Sequence, residues 1–220
     1  MLDSVTDSVV VRLQAVPTAL VTDALTRLQL SGWMDDVLPL SPGSRLVARA
    51  RTLAFGPTRR TGQLTDSTYR VISQVERGQV LVMGAGGAKD QTFGENIGTF
   101  AHRSGLAGIV TDSRTRDRIG LRELGMPVFS RGPGVRPPTE VEPRDIDVPI
   151  ICGGAQVRPG DIVVGDDDGV VVIPSDREED VLYQIEELEE LERGIGEVIR
   201  AGGSVTDIER EVARKKVVRR

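Results

Sequence analysis

The sequence has almost none of the residues that build soft-metal and disulfide sites. It contains one cysteine, Cys152, and one histidine, His102, in 220 residues. A single cysteine cannot form an internal disulfide, and a single histidine excludes a zinc site made of several histidines of one chain. Cys152 precedes two glycines and has no basic partner nearby, so we expect it in the core rather than in catalysis. Any metal ion should therefore be a hard cation with oxygen ligands.

Aromatic residues are equally scarce, at 3% of the chain. Single-stranded nucleic acids usually stack on aromatic side chains, and the net charge of −5 disfavours a general nucleic-acid binder. No apolar run has the length of a transmembrane helix, and the first residues lack the basic and apolar regions of a signal peptide. These absences, together with the single cysteine, predict a cytoplasmic protein with no nucleic-acid or membrane partner.

What the chain does contain is typical of a globular domain. Hydrophobic residues make up 39% and charged residues 28%, and 220 residues suffice for one substantial core. Since aromatics are few, that core must be aliphatic. We expect one α/β domain over residues 1–174, followed by C-terminal helices over residues 175–220 that contact other subunits.

The middle of the chain alternates between apolar runs and helical patterns. Three runs rich in apolar residues predict buried strands at residues 79–83, 107–111 and 127–129. Between them, apolar spacing predicts a helix over residues 95–104 that Gly105 ends, and a second helix opening at Arg116 and Asp117. Strand–helix–strand units of this length predict parallel strands joined by right-handed crossovers. In such sheets ligands bind beyond the carboxyl ends of the strands.

Local signals predict the rest of the secondary structure. Helices are expected within residues 2–30, broken near Pro17 with Thr18 as N-cap. The other predicted elements are a loop at 33–42, a strand at 46–55, a helix at 65–77, an irregular proline-rich stretch at 133–143, a strand at 148–151, a hairpin of 161–165 with 170–173, a long helix at 175–200 with an acidic face, and a last helix opened by a capping box of Thr206 and Glu209.

Charged residues concentrate where this topology places the carboxyl ends of the strands. Glu95, Asp112, Arg116 and Asp117 should lie close together there. Carboxylates bind divalent cations, an arginine can clamp a carboxylate, and a helix N-terminus attracts anions. The set favours a divalent metal and a small carboxylate-bearing substrate. Purely structural alternatives stay open. Asp117 could do no more than cap the helix that it opens, Arg116 could be a surface charge, and Gly94 could do no more than relieve crowding at a turn.

The order of these motifs resembles the RraA-like family, which includes the 4-hydroxy-4-methyl-2-oxoglutarate aldolases and related oxaloacetate decarboxylases. The resemblance spans nearly the whole chain. Its motifs are Thr-Asp-Ala-Leu at 22–25, Glu95 followed by Arg116-Asp117, Leu-Arg-Glu-Leu-Gly-Met-Pro-Val-Phe at 121–129, Arg-Pro-Gly-Asp at 158–161 and Asp-Asp-Asp-Gly-Val at 166–170. It implies a swivelling β/β/α domain with a C-terminal helical extension, assembled as a trimer or as a hexamer of two trimers.

The resemblance also implies a role for each candidate residue. Asp117 would bind Mg²⁺ or Mn²⁺, and Arg116 would contact the substrate. In the mechanism that we expect for such a site, Glu95, with Asp112, positions a water that moves protons. Backbone amides would hold a substrate carboxylate at Gly94, Glu95, Asn96 and Ile97. Family aldolases carry aspartate where this chain has Glu95. A glutamate of the acidic helix face could complete a neighbouring subunit's site, and the sequence does not single one out.

The implied function is a metal-dependent carbon–carbon lyase that cleaves a 4-hydroxy-2-oxo acid to pyruvate. Decarboxylation of oxaloacetate would pass through the same pyruvate enolate, so one site suits both reactions. The rival function is that of RraA proteins that bind and inhibit a ribonuclease without a reaction of their own. A third is a lyase acting on an unrelated hydroxy-oxo acid.

Overall fold

The computed structural model describes residues 7–59 and 68–215. Its α-helices are α1 (Ser8–Leu13), α2 (Thr18–Arg27), α3 (Thr68–Ile72), α4 (Glu95–Ser104), α5 (Arg118–Glu123), α6 (Glu178–Arg200) and α7 (Val205–Arg214). The strands are β1 (Trp33–Met34), β2 (Leu38–Pro39), β3 (Leu46–Pro57), β4 (Val80–Gly84), β5 (Gln91–Phe93), β6 (Gly108–Thr111), β7 (Arg114–Thr115), β8 (Val128–Ser130), β9 (Val141–Ile146), β10 (Ile150–Cys152), β11 (Ala155–Val157), β12 (Ile162–Asp166) and β13 (Gly169–Ile173).

Among the described residues, nine strands form one mixed sheet in the order β1-β13-β12-β3-β4-β6-β8-β2, with β9 also paired to β3. The long strand β3 joins its two halves. Residues 46–49 pair antiparallel with β12, and residues 50–54 pair parallel with β4. The pairs β4–β6 and β6–β8 are also parallel, which confirms the predicted parallel unit. The carboxyl ends of β4 and β6 therefore meet at one edge, ahead of α4 and α5.

Alternating side chains of the strands fill three apolar layers. In β4, Val80 and Val82 face an inner cluster shared with β12 and β13, whereas Leu81 and Met83 face the layer of α3, α4 and α5. This period of two is the expected result of strand geometry when both faces of a sheet are covered. The core is aliphatic apart from Phe93 and Phe129, as the composition predicted.

The long C-terminal helix belongs to the third apolar layer. Val181, Ile185 and Leu188 of α6 are buried against α2 and the outer face of β12 and β13. The predicted C-terminal helical extension on a mixed α/β fold is therefore confirmed. The extension shares its core with the sheet, because its apolar stripe faces α2 rather than solvent.

The N-terminus of α2 is capped from a distance. Pro17 is the N-cap, so the prediction of Thr18 as N-cap is wrong. Instead the backbone N–H and the hydroxyl of Thr18 donate to Asp166, at 2.8 and 2.7 Å. Burial raises the pKa of Asp166, but hydrogen bonds from Thr18 and the charge of Arg45 outweigh it and hold that pKa below its usual range. A carboxylate from a distant part of the same chain thus replaces the usual local cap.

Other local predictions need correction at their boundaries. The expected loop at 33–42 contains the short strands β1 and β2, and the proline-rich stretch runs into β9. Among the described residues, β9 pairs with β3 alone, so the missing N–H of Pro143 breaks no hydrogen bond to a second neighbouring strand. The capping box of α7 is made by Ser204 and Asp207 rather than by Thr206 and Glu209.

The remaining predicted elements are found near their expected positions. The strand expected at 148–151 is β10, which begins at Ile150, and the Asp-Gly hairpin pairs Asp166 with Gly169. Of the helix expected at 65–77, only Thr68–Ile72 is helical, and residues 65–67 lie outside the described part.

None of the helices within residues 7–59 and 68–215 combines the length and apolarity that crossing a membrane requires.

Candidate functional site

Two helices begin side by side at the edge where the parallel strands end. The short parallel strands β5 and β7 pair with each other and deliver the chain into α4 and α5. Gly94 is the N-cap of α4, and Asp117 is the N-cap of α5. Both helix starts border an open cavity of about 540 Å³, lined by Glu95, Thr115, Arg116, Asp117, Arg118, Ile119, Gly120, Pro133, Gly134 and Val135.

Asp117 has an unusual backbone conformation and an unusual partner. Its φ of 57° lies in the left-handed region, where aspartate and asparagine are enriched among non-glycine residues. Its side chain makes no capping bond to α5. Instead Oδ2 accepts a hydrogen bond of 3.2 Å from the N–H of Glu95, at the start of α4. Asp117 is thus the N-cap of α5 by position, while its carboxylate bonds to the other helix.

Arg116 lies next to this carboxylate and keeps its outer end exposed. Its Nε is 3.4 Å from Oδ2 of Asp117, and about half of each side chain is accessible. Its backbone N–H donates to the carbonyl of Phe93, which ties β7 to β5. In the part of the chain that the structure describes, the two terminal nitrogens of Arg116 have no acceptor. They are therefore free to donate to a bound anion.

Glycines make room for both carboxylates. A Cβ atom on Gly94 would lie 2.5 Å from Oδ2 of Asp117, and a Cβ atom on Gly120 would lie 2.3 Å from Cδ of Glu95. Distances below 3 Å do not occur between such atoms. Gly94 thus does more than relieve crowding in its own turn, because Asp117 packs onto its open face. The importance of Gly120 could not be seen in the sequence, since no local turn signal marks it.

The structure separates Asp112 from the other candidate residues. Its carboxylate is only 3% exposed and does not line the cavity. It accepts hydrogen bonds from the backbone N–H groups of Ala85, Gly87 and Gly153, at 2.6, 3.1 and 3.3 Å. Loss of these bonds would leave buried donors unsatisfied, at a cost of about 1–3 kcal/mol each. We therefore assign Asp112 to holding the glycine loop after β4.

Cys152 lies behind this loop and fits the expected core role. It is fully buried, and burial together with the charge of Asp112 raises the pKa of its thiol well above the usual value. A thiol in this state is a poor nucleophile.

The first turn of α4 lies only partly in the cavity. Glu95 lines the cavity, whereas Asn96 is exposed beside it and Ile97 packs against the apolar layer under α4. The backbone N–H groups of Asn96 and Ile97 have no acceptor among the described residues. This is usual for a first helical turn, and it leaves these donors available.

A second open cavity, of about 610 Å³, adjoins the first through Arg118 and Pro133. Its cationic lining residues are Lys89, Arg114, Arg118 and Arg131, and Asp36 is its acidic lining residue. No ion pair joins these cations to a carboxylate within residues 7–59 and 68–215. Positive charge therefore accumulates beside the candidate site of a protein whose net charge is negative.

The donor set of the first cavity suits one kind of metal ion. Within the described residues, no group of three or more histidine, cysteine, aspartate or glutamate side chains could enclose a metal. The cavity offers the oxygens of Glu95 and Asp117 and no nitrogen or sulfur ligand. Two carboxylates and open space fit a magnesium-like cation, which keeps several waters and needs few protein ligands.

Comparisons with known proteins agree with this architecture. Residues 18–172 match the family model described as "RraA-like: Aldolase/RraA". A protein of Halalkalibacterium halodurans named "Putative 4-hydroxy-4-methyl-2-oxoglutarate aldolase" is 32% identical over 176 residues, which is 80% of each chain. An uncharacterized Pseudomonas syringae protein superposes with a TM-score of 0.79 at 27% identity, covering 92% of this chain and 96% of the other.

A further similar structure comes from Streptomyces coelicolor. That protein, RraAS2, is described as an unusual member of the RNase ES inhibitor RraA protein family. It is 32% identical, with a TM-score of 0.76 over 85% of this chain and 96% of its own. The family model extends over most of the chain and includes both helix starts of the candidate site. The chain belongs to the RraA-like family.

Proposed function

We propose that this protein is a divalent-metal-dependent lyase that cleaves a 4-hydroxy-2-oxo acid by a retro-aldol reaction and releases pyruvate. The observation that carries the proposal is the convergence of Glu95, Arg116 and Asp117 on one cavity at two adjacent helix starts. The similarity to the Halalkalibacterium halodurans protein supports the same reaction class.

In the proposed site, Arg116 binds the oxo-acid end of the substrate. Its free terminal nitrogens can form two parallel hydrogen bonds to a carboxylate or to the 2-oxo oxygen. As the bond between C3 and C4 breaks, its electron pair forms the enolate of pyruvate, and negative charge grows on that 2-oxo oxygen. Because the guanidinium is always protonated, it stabilises this charge without a proton transfer of its own.

Asp117 would hold the divalent cation, with Glu95 on the same wall of the cavity. When bound, the cation supplies Lewis-acid polarisation of the 2-oxo group. The hydrogen bond from the N–H of Glu95 fixes one oxygen of Asp117, and the other oxygen would bind the cation. Its left-handed backbone sets the direction in which this carboxylate projects.

Glu95 is the proposed proton carrier. The C4 hydroxyl must lose its proton as C4 becomes a carbonyl, and C3 of the enolate must gain one to give pyruvate. Glu95 can perform both transfers, directly or through a water, and ends in its starting state. Asp112 takes no part in this scheme, because three backbone amides already occupy its buried carboxylate.

The cationic second cavity suggests that the substrate carries another negative group. Lys89, Arg114 and Arg131 would attract a carboxylate at the far end of a substrate whose reacting end lies near Arg116. We therefore expect dicarboxylic hydroxy-oxo acids and oxaloacetate to be better substrates than monocarboxylic analogues.

A coupled assay of pyruvate release over 4-hydroxy-2-oxo acids and oxaloacetate tests the proposal. We expect turnover with Mg²⁺ or Mn²⁺, its loss in excess EDTA, and its recovery when either cation is restored, since the described residues alone provide few ligands. Full activity in excess chelator would contradict the metal requirement. Absence of pyruvate from every substrate would leave the ribonuclease-binding function, which the similarity to RraAS2 favours, as the better explanation.

We also propose that the site is completed in a trimer or in a hexamer of two trimers. Ile119 and Val135 border the cavity with 76% and 89% of their surfaces exposed, which is costly for apolar side chains unless another chain covers them. On the acidic face of α6, Arg12 and Lys215 of the same chain engage Glu186 and Glu192, whereas Glu189 is exposed. A neighbouring chain could therefore receive a glutamate such as Glu189.

Sedimentation velocity at micromolar concentration should accordingly show a trimer or hexamer. Replacement of Ile119 by aspartate should shift the protein toward smaller species and reduce turnover in parallel, because the charge would be buried in the interface. A fully active monomer would refute the shared site.

A further inference from the structure

The carboxylate of Glu95 occupies the place where a side chain on residue 120 would begin. A Cβ atom on Gly120 would lie 2.3 Å from Cδ of Glu95 and 2.5 and 2.7 Å from its two oxygens. These are the three atoms nearest to that position. The observed placement of Glu95 is therefore possible only because residue 120 has no side chain.

The backbone gives no other reason for glycine here. Gly120 is the third residue of α5, and it is absent from the glycines with positive φ. Within a helix, glycine is among the least favourable residues, whereas alanine is the most favourable. The helix alone would thus prefer alanine, and the close approach of Glu95 is the feature that opposes it.

The same relation recurs in the opposite direction across the cavity. The carboxylate of Asp117 lies over Gly94, where an added Cβ would be 2.5 Å from Oδ2. Each helix start thus contributes one carboxylate and one glycine, and each carboxylate packs onto the glycine of the other helix. Because aspartate is one methylene shorter than glutamate, a shorter acid at position 95 would not need the space above residue 120.

We propose that Gly120 is a positioning residue for Glu95, and that the two residues form a matched pair. The proposal rests on the proposed function insofar as Glu95 carries protons in the lyase reaction. An alanine at position 120 displaces the carboxylate of Glu95 from the first turn of α5 and leaves Arg116 and Asp117 in place. The residue at position 120 therefore determines whether a glutamate at position 95 can place its carboxylate in the cavity.

The test compares Gly120→Ala, Glu95→Asp, the double variant and the control Gly194→Ala. Gly194 lies in α6, and an added Cβ there meets nothing closer than Oε2 of Glu211 at 3.9 Å. Both alanine variants should melt about 2–4 °C above the parent protein, since each gains helix propensity.

Gly120→Ala should lower kcat about 10–100-fold with little change in KM, whereas Gly194→Ala should change neither. In the Glu95→Asp background, Gly120→Ala should lower kcat by less than about threefold.

A measurement without metal or turnover separates this inference from the proposed function. The side-chain carboxyl ¹³C resonance of Glu95 should shift in metal-free Gly120→Ala and stay unchanged in Gly194→Ala. If the parent protein released no pyruvate, the proposed function would fail. The ¹³C measurement would still test whether Gly120 positions the carboxylate of Glu95. An unshifted resonance, an equal loss of kcat in both backgrounds, or a Gly120→Ala protein that melts below the parent would each overturn the inference.

Discussion

Replacement of Asp117 by asparagine should abolish pyruvate release and leave the fold intact. Asparagine tolerates the left-handed backbone at least as well as aspartate, and its amide oxygen can still accept the hydrogen bond from the N–H of Glu95. The variant therefore removes one negative charge and little else. Since loss of the cation would forfeit several kcal/mol of transition-state stabilisation, kcat/KM should fall about a thousandfold or more.

Asp147→Asn is the matched control for this variant. Asp147 is also an exposed aspartate with positive φ, at 54°, and its charge pairs with the mostly buried Arg51 rather than with a site residue. It should retain activity, and both variants should melt close to the parent protein. Isothermal titration with Mn²⁺ should show weaker binding for Asp117→Asn only. Substantial activity in that variant would remove Asp117 from the proposed metal site.

Periodicity in the middle of the chain was sufficient to predict the parallel unit. Apolar runs at 79–83 and 107–111 alternate with a helix whose observed bounds, Glu95–Ser104, match the expected ones. Such patterns are reliable because side chains of a buried strand or an amphipathic helix must follow the period of their element. The C-terminal helix was predictable for the same reason, since its apolar stripe covers α2.

Features that depend on distant partners could not be predicted in this way. Thr18 looked like a local N-cap, but Asp166 from β12 reaches it through the fold and caps α2 instead. Asp112 was expected to help Glu95 position a water, and backbone amides of two other segments bind its carboxylate. Both arrangements depend on groups that come from distant parts of the chain, which local sequence does not record.

Only the three central residues of the candidate site were predictable. Spacing and family resemblance together indicated Glu95, Arg116 and Asp117, which the structure brings to one cavity. The direction of the Asp117 carboxylate, toward α4 rather than α5, depends on its positive φ, which no periodic pattern reveals. Arg118 and Arg131 were missed because they reach the second cavity from two separate places, the first turn of α5 and the segment after β8, and neither position is marked in the sequence.

Arg116→Lys should lower kcat/KM about a hundredfold or more, although it preserves the charge. Lysine offers one rotatable ammonium group, whereas the guanidinium presents a planar fork that can grip a carboxylate and the developing enolate oxygen together. Removal of one such donor from a preorganised site typically costs about 100–1,000-fold in rate. The loss should appear mainly in kcat if Arg116 stabilises the enolate, and mainly in KM if it only holds the substrate carboxylate.

Arg103→Lys supplies the matched control, since Arg103 is an exposed arginine in the last turn of α4 and does not line the cavity. It should retain the parent kinetics. A lysine variant of Arg116 within about threefold of the parent would show that general positive charge suffices, because a point charge would then replace the fork. In that case Lys89, Arg114 and Arg131 of the second cavity would be the more important source of attraction for the substrate. The specific role of Arg116 would be lost.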